Sequence, residues 1–306
     1  MKLAAIDIGT NSMRLLVAEV VGGNIINRKK FVNTTRIGEG VDKTGFILEE
    51  AITRNIEALI EFKKICLKEG CEKIFCMGTS ALRDSMNSEE FIIRAKKEAE
   101  IDVEILSGDS EANLGLIGVI EGLNGDRNVL VVDIGGGSTE FTVGDRSGIK
   151  YNKSENIGAL RMTEKFLKED PIDKNAFGKL EKFVEKEIAD TIDDIRSMID
   201  IKDFVGIGGT ITSLSAINQK LEVYSMEKIH NSKICIKNVE QILQNLIEIP
   251  LSDKKKLAGL QKKRADIITA GVGILKIIME KLEIEEITVS EYDNLEGLIC
   301  QKSKKL

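Results

Sequence analysis

Two stretches of this chain are built to the same plan, and together they limit the folds open to it. The clearer one, residues 128–140, reads Asn-Val-Leu-Val-Val-Asp-Ile-Gly-Gly-Gly-Ser-Thr-Glu. Residues 129–132 are a continuous, mostly β-branched apolar run, the pattern of a strand buried on both faces. It ends in a carboxylate, Asp133. Gly135, Gly136 and Gly137 follow, and their missing side chains let a bulky oxyanion approach the backbone N–H groups. Ser138 and Thr139 add hydroxyls, and Glu140 adds a second carboxylate. Carboxylate, bare N–H donors and a further carboxylate in one short segment suit a metal-assisted phosphate site.

The N-terminus repeats the arrangement. Residues 3–6 are apolar, Asp7 ends the run, Gly9-Thr10-Asn11-Ser12 turns the chain, and residues 13–20 are again apolar. Two unrelated hairpins with polar turns are the alternative, but both copies match Asp-Ile-Gly-x-x-Ser. Asp7 and Asp133 lie 126 positions apart, too far for a solenoid repeat. A duplication at the scale of a domain is therefore expected, and 306 residues exceed the usual single core. The expected division is 1–122, with 292–306 packing back on it, and 123–291. Residues 122–128, rich in Gly and Asn, form the hinge.

Composition narrows the class. With 42% apolar and 31% charged residues the chain reads as a soluble globular protein. No apolar run approaches the ~18 residues of a membrane helix, and the N-terminus enters a strand at once without a signal peptide, so a cytoplasmic location is expected. The five cysteines lack Cys-x-x-Cys spacing and read as reduced thiols in preference to a zinc site. A single histidine, His230, leaves no material for a Ser-His-Asp arrangement or a multi-histidine metal site. The net charge of −6 argues against a nucleic-acid partner. Basic runs at 28–30, 254–256 and 262–264 read as solvated faces, with a hold on a polyanionic substrate as the alternative.

Along the chain, a third strand is expected over 25–35 and an amphipathic helix over 49–69, stopped by Gly70. Residues 73–77 form a strand leading to Gly78-Thr79-Ser80-Ala81-Leu82-Arg83. Arg83 at that strand end suits a phosphate contact or is an ordinary surface arginine. Asn87 and Glu90 look like a capping pair for a helix to about residue 99. After a strand at 103–106, Glu111 falls in the first turn of a helix. There it either serves catalysis or only complements the helix dipole. In the second half, 149–156 matches the third strand and Gly158 opens a helix. Phe177, Leu180, Val184, Ile188, Ile192, Ile195 and Ile199 mark one long core-facing helix. Residues 203–207 end in a further glycine turn, Gly208-Gly209-Thr210. Residues 264–282 read as a helix, 286–289 as a strand and 294–300 as a closing helix.

With these motifs in place, the chain resembles the exopolyphosphatase and guanosine pentaphosphate phosphohydrolase family (Ppx/GppA), a branch of the actin-like ATPase superfamily. The resemblance runs through residues 5–12, 78–83, 107–112, 133–140, 158–161, 206–210, 264–266 and 296–297, essentially the whole chain. It implies an α/β fold of two ribonuclease-H-like domains facing each other across a crevice lined by Asp7, Gly9, Asp133, Gly135 and Gly208. It also implies roles: Glu111 as the base, Glu140 helping to place the attacking water, Asp7 and Asp133 supporting Mg²⁺ (or Mn²⁺), and Arg83 on phosphate. Gly9, Thr10, Asn11, Ser12, Gly135, Gly136, Gly137, Ser138, Thr139, Gly208, Gly209 and Thr210 complete the phosphate-binding set.

The chain departs from the family pattern at Ser110 and Asn113, which stand where the first Glu and the Arg of Glu-Glu-Ala-Arg are usual while Glu111 is kept, and at Asp293-Asn294-Leu295, where Gly-Leu-Arg is usual. These changes bear on substrate preference more than on the reaction. The chain resembles the short, two-domain form of the family. The implied activity is magnesium-dependent release of terminal phosphate from inorganic polyphosphate, with guanosine pentaphosphate hydrolysis as runner-up. A small-molecule kinase of the same superfamily and a non-catalytic alarmone sensor are further alternatives. The expected partners are polyphosphate or guanosine penta- or tetraphosphate, with no nucleic acid and no membrane; a homodimer stays open.

Overall fold

The first apolar run forms strand β1 (Lys2–Ile8), which hairpins into β2 (Met13–Val21) and on into β3 (Asn24–Asn33). In this computed structural model, which describes residues 1–123, 127–198 and 201–304, the chain divides into two units. One is Met1–Glu121 with Tyr292–Leu306, the other Gly122–Glu291. Residues 124–126 of the expected hinge lie outside the described residues.

The first unit adds β4 (Lys73–Gly78) and β5 (Val103–Ile105), both continuing parallel from β1, to give the order β3-β2-β1-β4-β5. β1 is buried on both faces because its alternate residues supply two cores. Ala4, Ile6 and Ile8 pack with Ile52, Ile56, Leu59 and Phe62 of helix α1 (Glu49–Glu69). Leu3 and Ala5 pack with Leu295, Leu298 and Ile299 of the C-terminal helix (Asn294–Ser303). Helix α1 stops at Gly70, whose φ of 74° lets its N–H turn back to the carbonyls of Cys66 and Leu67. Further helices are α2 (Ser80–Asp84), α3 (Ser88–Arg94) and α4 (Gly108–Gly122).

Two local expectations are corrected here. Asn87 does not cap α3: its Oδ1 accepts from Ile47 N at 2.8 Å and its Nδ2 donates to Ile47 O at 3.0 Å. A side-chain amide can copy a backbone pairing, and here it clips a distant loop instead of the adjacent helix. The basic run at 28–30 is a solvated face only in part. Period-two alternation on β3 leaves Lys29 exposed, 2.8 Å from Glu69, while Arg28 and Lys30 are largely covered and reach Glu296 at 2.9 and 3.1 Å.

In the second unit, β6 (Val129–Ile134), β7 (Thr139–Asp145) and β8 (Gly148–Glu155) form the corresponding meander. Strands β9 (Asp203–Ile207) and β11 (Glu286–Val289) extend it in parallel, and β10 (Lys233–Cys235) adds an antiparallel edge. The order β10-β11-β9-β6-β7-β8 contains the five-stranded pattern of the first unit plus one strand.

Its helices are α5 (Ala159–Phe166), α6 (Lys174–Glu187), α7 (Ala189–Ser197), α8 (Gly208–Asn218), α9 (Ile236–Glu248) and α10 (Ile268–Lys281). The long helix expected over 177–199 is two, α6 and α7, joined at Ile188 (φ −94°, ψ 0°). Phe177 to Ile195 stay buried through the break, so the apolar spacing alone does not register it; Ile199 lies outside the described residues. The expected helix at 264 begins at Ile268, after a 3₁₀ turn over Lys262–Arg264.

Among the described residues no helix is long and apolar enough to cross a membrane. All five cysteines are free thiols. Burial pushes Cys66 and Cys300 up to about 12, and Cys76 well above the ordinary thiol range. Because alkylation needs both access and thiolate, iodoacetamide at pH 8 should leave these three unlabelled in the folded protein and label them after denaturation. Peptide mass mapping checks this, and rapid native labelling of Cys66 or Cys76 would contradict the packing.

Candidate functional site

In the first unit the residues of interest gather at the carboxyl ends of the parallel strands, the usual ligand side of such sheets. After β1 the chain closes a tight turn in which Gly9 N donates to Ser12 O at 3.1 Å. Thr10, Asn11 and Ser12 are buried there. The turn is tied down from both sides. Thr10 Oγ1 bonds Ser80 Oγ at 2.8 Å, Thr10 O accepts from Gly38 N and Asn11 O from Arg36 N, each at 3.0 Å. Asn11 Oδ1 is buried with no hydrogen-bond partner, as is Asp7 Oδ1. Asp7 sits across the hairpin from Arg14, whose Nε and Nη2 both donate to Asp7 Oδ2, at 3.0 and 2.6 Å. Burial raises the Asp7 pKa, Arg14 counteracts in part, and the Asp293 charge raises it further.

Arg83 and Glu111 come from neighbouring strand ends, since β4 pairs β5 with Gly78 opposite Ile105. Glu111 lies in the first turn of α4, with Ser107 Oγ accepting from Ser110 N at 3.2 Å ahead of it. Arg83 Nη1 donates to Glu111 Oε2 at 3.1 Å and to Leu106 O at 3.0 Å. The two candidate residues are thus held together: the arginine is placed on the glutamate. Glu111 is buried, while the Arg83 side chain keeps a quarter of its surface exposed.

The second unit repeats the turn almost bond for bond, with Gly135 N donating to Ser138 O at 3.0 Å. Here the glycine carbonyls are used as anchors. Gly135 O accepts from Ala159 N (2.9 Å), Gly136 O from Leu160 N (2.9 Å), and Gly137 O from Arg161 Nε (2.7 Å), all at the start of α5. A trans peptide points its N–H opposite to its C=O. The N–H groups of Gly136, Gly137 and Ser138 therefore face away from α5 in succession, a concave row of donors for an anion. Gly158 allows this docking, because a Cβ there would lie 2.4 Å from the Gly136 carbonyl. Thr139 is fully buried and its hydroxyl donates to Ile157 O at 2.6 Å, so it braces the loop.

Opposite Asp133 across β6–β7 stands Glu140, where the first unit has Arg14 opposite Asp7. Glu140 is buried and its Oε1 accepts from Ser154 Oγ at 2.9 Å. The third glycine turn closes over Asp133. Gly208 has φ +84°, and a Cβ on it would come within 2.2 Å of Asp133 Oδ1. Gly209 is covered by Arg264, whose Nη1 would lie 1.5 Å from a Cβ. Thr210 is buried against Gly271. Arg264 belongs to the motif pattern, and its guanidinium at the N-terminus of α8 is a contact that only the fold reveals. His230 has a structural part: Glu291 N donates to Nδ1 at 3.3 Å, which leaves Nε2 to carry the proton toward Gly122 O at 3.2 Å.

These donors fit a hard divalent cation. Asp7 presents a bare buried oxygen in the first unit, and in the second the carboxylates of Asp133 and Glu140 stand on directly opposed residues of β6 and β7. Among the described residues no three His, Cys, Asp or Glu side chains come together. A cation held by either set would complete its shell with water and ligand oxygens, the habit of Mg²⁺.

Two α/β units with this sheet order and repeated glycine turns define a protein of the actin-like ATPase, ribonuclease-H-like fold. Residues 16–306 match the Ppx/GppA phosphatase family, and the chain belongs to that family. It is 30% identical to exopolyphosphatase 2 of Mycobacterium tuberculosis, with 97% of each chain covered. It is 39% identical to a bifunctional 3-dehydroquinate synthase/phosphatase of Fusobacterium nucleatum over 97% of its own length, but spans only 46% of that protein. Among solved structures, an Aquifex aeolicus Ppx/GppA family member matches with a TM-score of 0.81 at 31% identity, covering 100% of this chain and 98% of the other. A Cytophaga hutchinsonii exopolyphosphatase matches with a TM-score of 0.90 at 27% identity, covering 100% and 99%.

Proposed function

We propose that this phosphatase-family protein is a cytoplasmic, magnesium-dependent exopolyphosphatase that removes the terminal phosphate of inorganic polyphosphate. The observation that carries the reading is the row of N–H groups from Gly136 to Ser138, aimed away from α5 beside Asp133 and Glu140. Such donors stabilise charge that develops on phosphoryl oxygens. Water attacks the terminal phosphorus, the bridging P–O bond breaks, and its oxygen leaves with the shortened chain. Glu111 accepts the proton of the attacking water and Glu140 helps to place that water. Asp7 and Asp133 would hold Mg²⁺, which neutralises phosphate charge when bound.

Arg83 links binding to the base in this reading. While it rests on Glu111 at 3.1 Å, it occupies an oxygen of the carboxylate that is to take the proton. An incoming phosphate competes for the same guanidinium and so releases the base when it is needed.

The test is orthophosphate release from short and long polyphosphate, guanosine pentaphosphate and ATP, each with magnesium or with EDTA. Polyphosphate should be preferred and chelation should abolish release. Preferred release from guanosine pentaphosphate would move the substrate to the alarmone. Release that requires an alcohol acceptor would make the protein a kinase, and binding without release a sensor.

A further inference from the structure

The two hairpins differ at one telling position, since an arginine stands opposite the aspartate in the first and a glutamate in the second. An adjacent Arg and Asp ordinarily pair as two forks, one N–H to each carboxylate oxygen. Arg14 does not do this. Its Nε and Nη2 converge on Asp7 Oδ2, at 3.0 and 2.6 Å, while Asp7 Oδ1 stays buried without a partner.

The third nitrogen explains the geometry. Arg14 Nη1 donates to Asp293 Oδ2 at 2.7 Å, so the guanidinium is fixed from both sides and cannot turn to cover the second oxygen of Asp7. Asp293 is itself rigid, because it caps the C-terminal helix. Its Oδ1 accepts from Leu295 N at 2.9 Å, and its own N–H donates to Glu296 Oε2 at 3.0 Å in a capping box. Lys30 Nζ bonds Asp293 Oδ2 at 3.3 Å and Glu296 Oε1 at 3.1 Å. Arg28 adds a 2.9 Å bond to Glu296 and lies 3.7 Å from the ring centroid of Tyr292. Asp7, Asp293 and Glu296 thus alternate with Arg14, Lys30 and Arg28 in a balanced buried chain of charge. Burial pushes the Asp293 carboxyl up, but Arg14 and Lys30 outweigh it and hold it below the usual range.

The same cap touches the helix that carries Glu111. A Cβ on Gly118 would lie 2.0 Å from Asp293 O, and one on Gly297 would lie 1.9 Å from Leu114 O, so backbone meets backbone along α4.

We propose that Asp293 is a positioning residue for the divalent cation: through Arg14 it holds Asp7 with one oxygen saturated and the other bare for the metal. This rests on the reading of Asp7 as a metal carboxylate. Loss of a group that orients a metal ligand typically weakens metal affinity by about 10- to 100-fold.

The experiment measures Mn²⁺ affinity of the full chain by the electron paramagnetic resonance signal of free Mn²⁺, alongside thermal unfolding. Asp293→Asn keeps a cap acceptor for Leu295 but sets an amide against Arg14. Arg14→Lys keeps the charge but loses the three-point grip. Both should bind Mn²⁺ about 10- to 100-fold more weakly. Ile299→Val loosens the same helix in its core, away from Arg14, and should stay within about twofold, well below that range. If Asp7→Asn loses Mn²⁺ while Asp293→Asn and Arg14→Lys bind as wild type, the inference is overturned and the metal reading stands. Equal losses in Ile299→Val and Asp293→Asn would also overturn it, by reducing the effect to helix anchoring. Wild-type affinity in Asp7→Asn would remove the metal reading and this inference together.

Discussion

Glu111→Gln should lose roughly 10²- to 10⁴-fold in kcat, the usual cost of removing a general base, while KM and the unfolding midpoint change little. The amide is nearly isosteric with the carboxylate, so the first turn of α4 keeps its packing. The fold loses one helix-dipole interaction, worth about 0.3–1 kcal/mol, and the charge of the Arg83 pair, where the amide oxygen can still accept from Nη1. Arg83 keeps its bond to Leu106 O at 3.0 Å and so stays in place. What the amide cannot do is accept the proton that water must give up. Single-turnover phosphate release separates this from slower binding or product release. Turnover within about twofold of wild type, far outside that range, would show that Glu111 is not the base and make Glu140 the leading candidate.

The repeated turn was legible in the sequence because it is local. Asp-Ile-Gly-x-x-Ser needs only the turn bond from glycine N–H to serine carbonyl, found at 3.1 Å for Gly9 and 3.0 Å for Gly135. The strands and α1 were legible for the same reason, their apolar period and the capping Gly70 being short-range signals. Helix α9 buries Val239, Leu243 and Leu246 at helical spacing, a short-range signal of the same kind as that of α1.

Other features depend on pairs that no local pattern reports. Arg14 and Asp293 are 279 residues apart, and Arg28 and Glu296 are 268 apart. Read locally, 28–30 is a basic run and 293–295 a departure from a motif; only the fold shows that Lys30 pairs with Asp293 and Arg28 with Glu296. Arg83 is the intermediate case. Its place at a strand end was legible, but its grip on Glu111 required the register of β4 against β5.

Gly208→Ala is expected to lower turnover by on the order of 10²-fold, the scale on which a misplacement of ~1 Å at a reacting centre acts. Two penalties meet at this residue. Its φ of +84° is a left-handed conformation that costs an L-residue about 1–2 kcal/mol. A methyl group would also lie 2.2 Å from Asp133 Oδ1, so either the carboxylate or the turn has to move. The two effects can be separated with Gly70→Ala in the other unit. Gly70 has a similar φ of +74°, and nothing lies within 4 Å of the Cβ it would gain. Both variants should unfold at a lower temperature, since both carry the backbone penalty, and Gly208→Ala by more because only it also carries the clash. Only Gly208→Ala should also lose phosphate release and need more magnesium to reach half its maximal rate. Equal activity losses in the two variants would assign the defect to general destabilisation. Full activity in Gly208→Ala would show that the position of Asp133 does not matter to the reaction, and would remove it from the metal site.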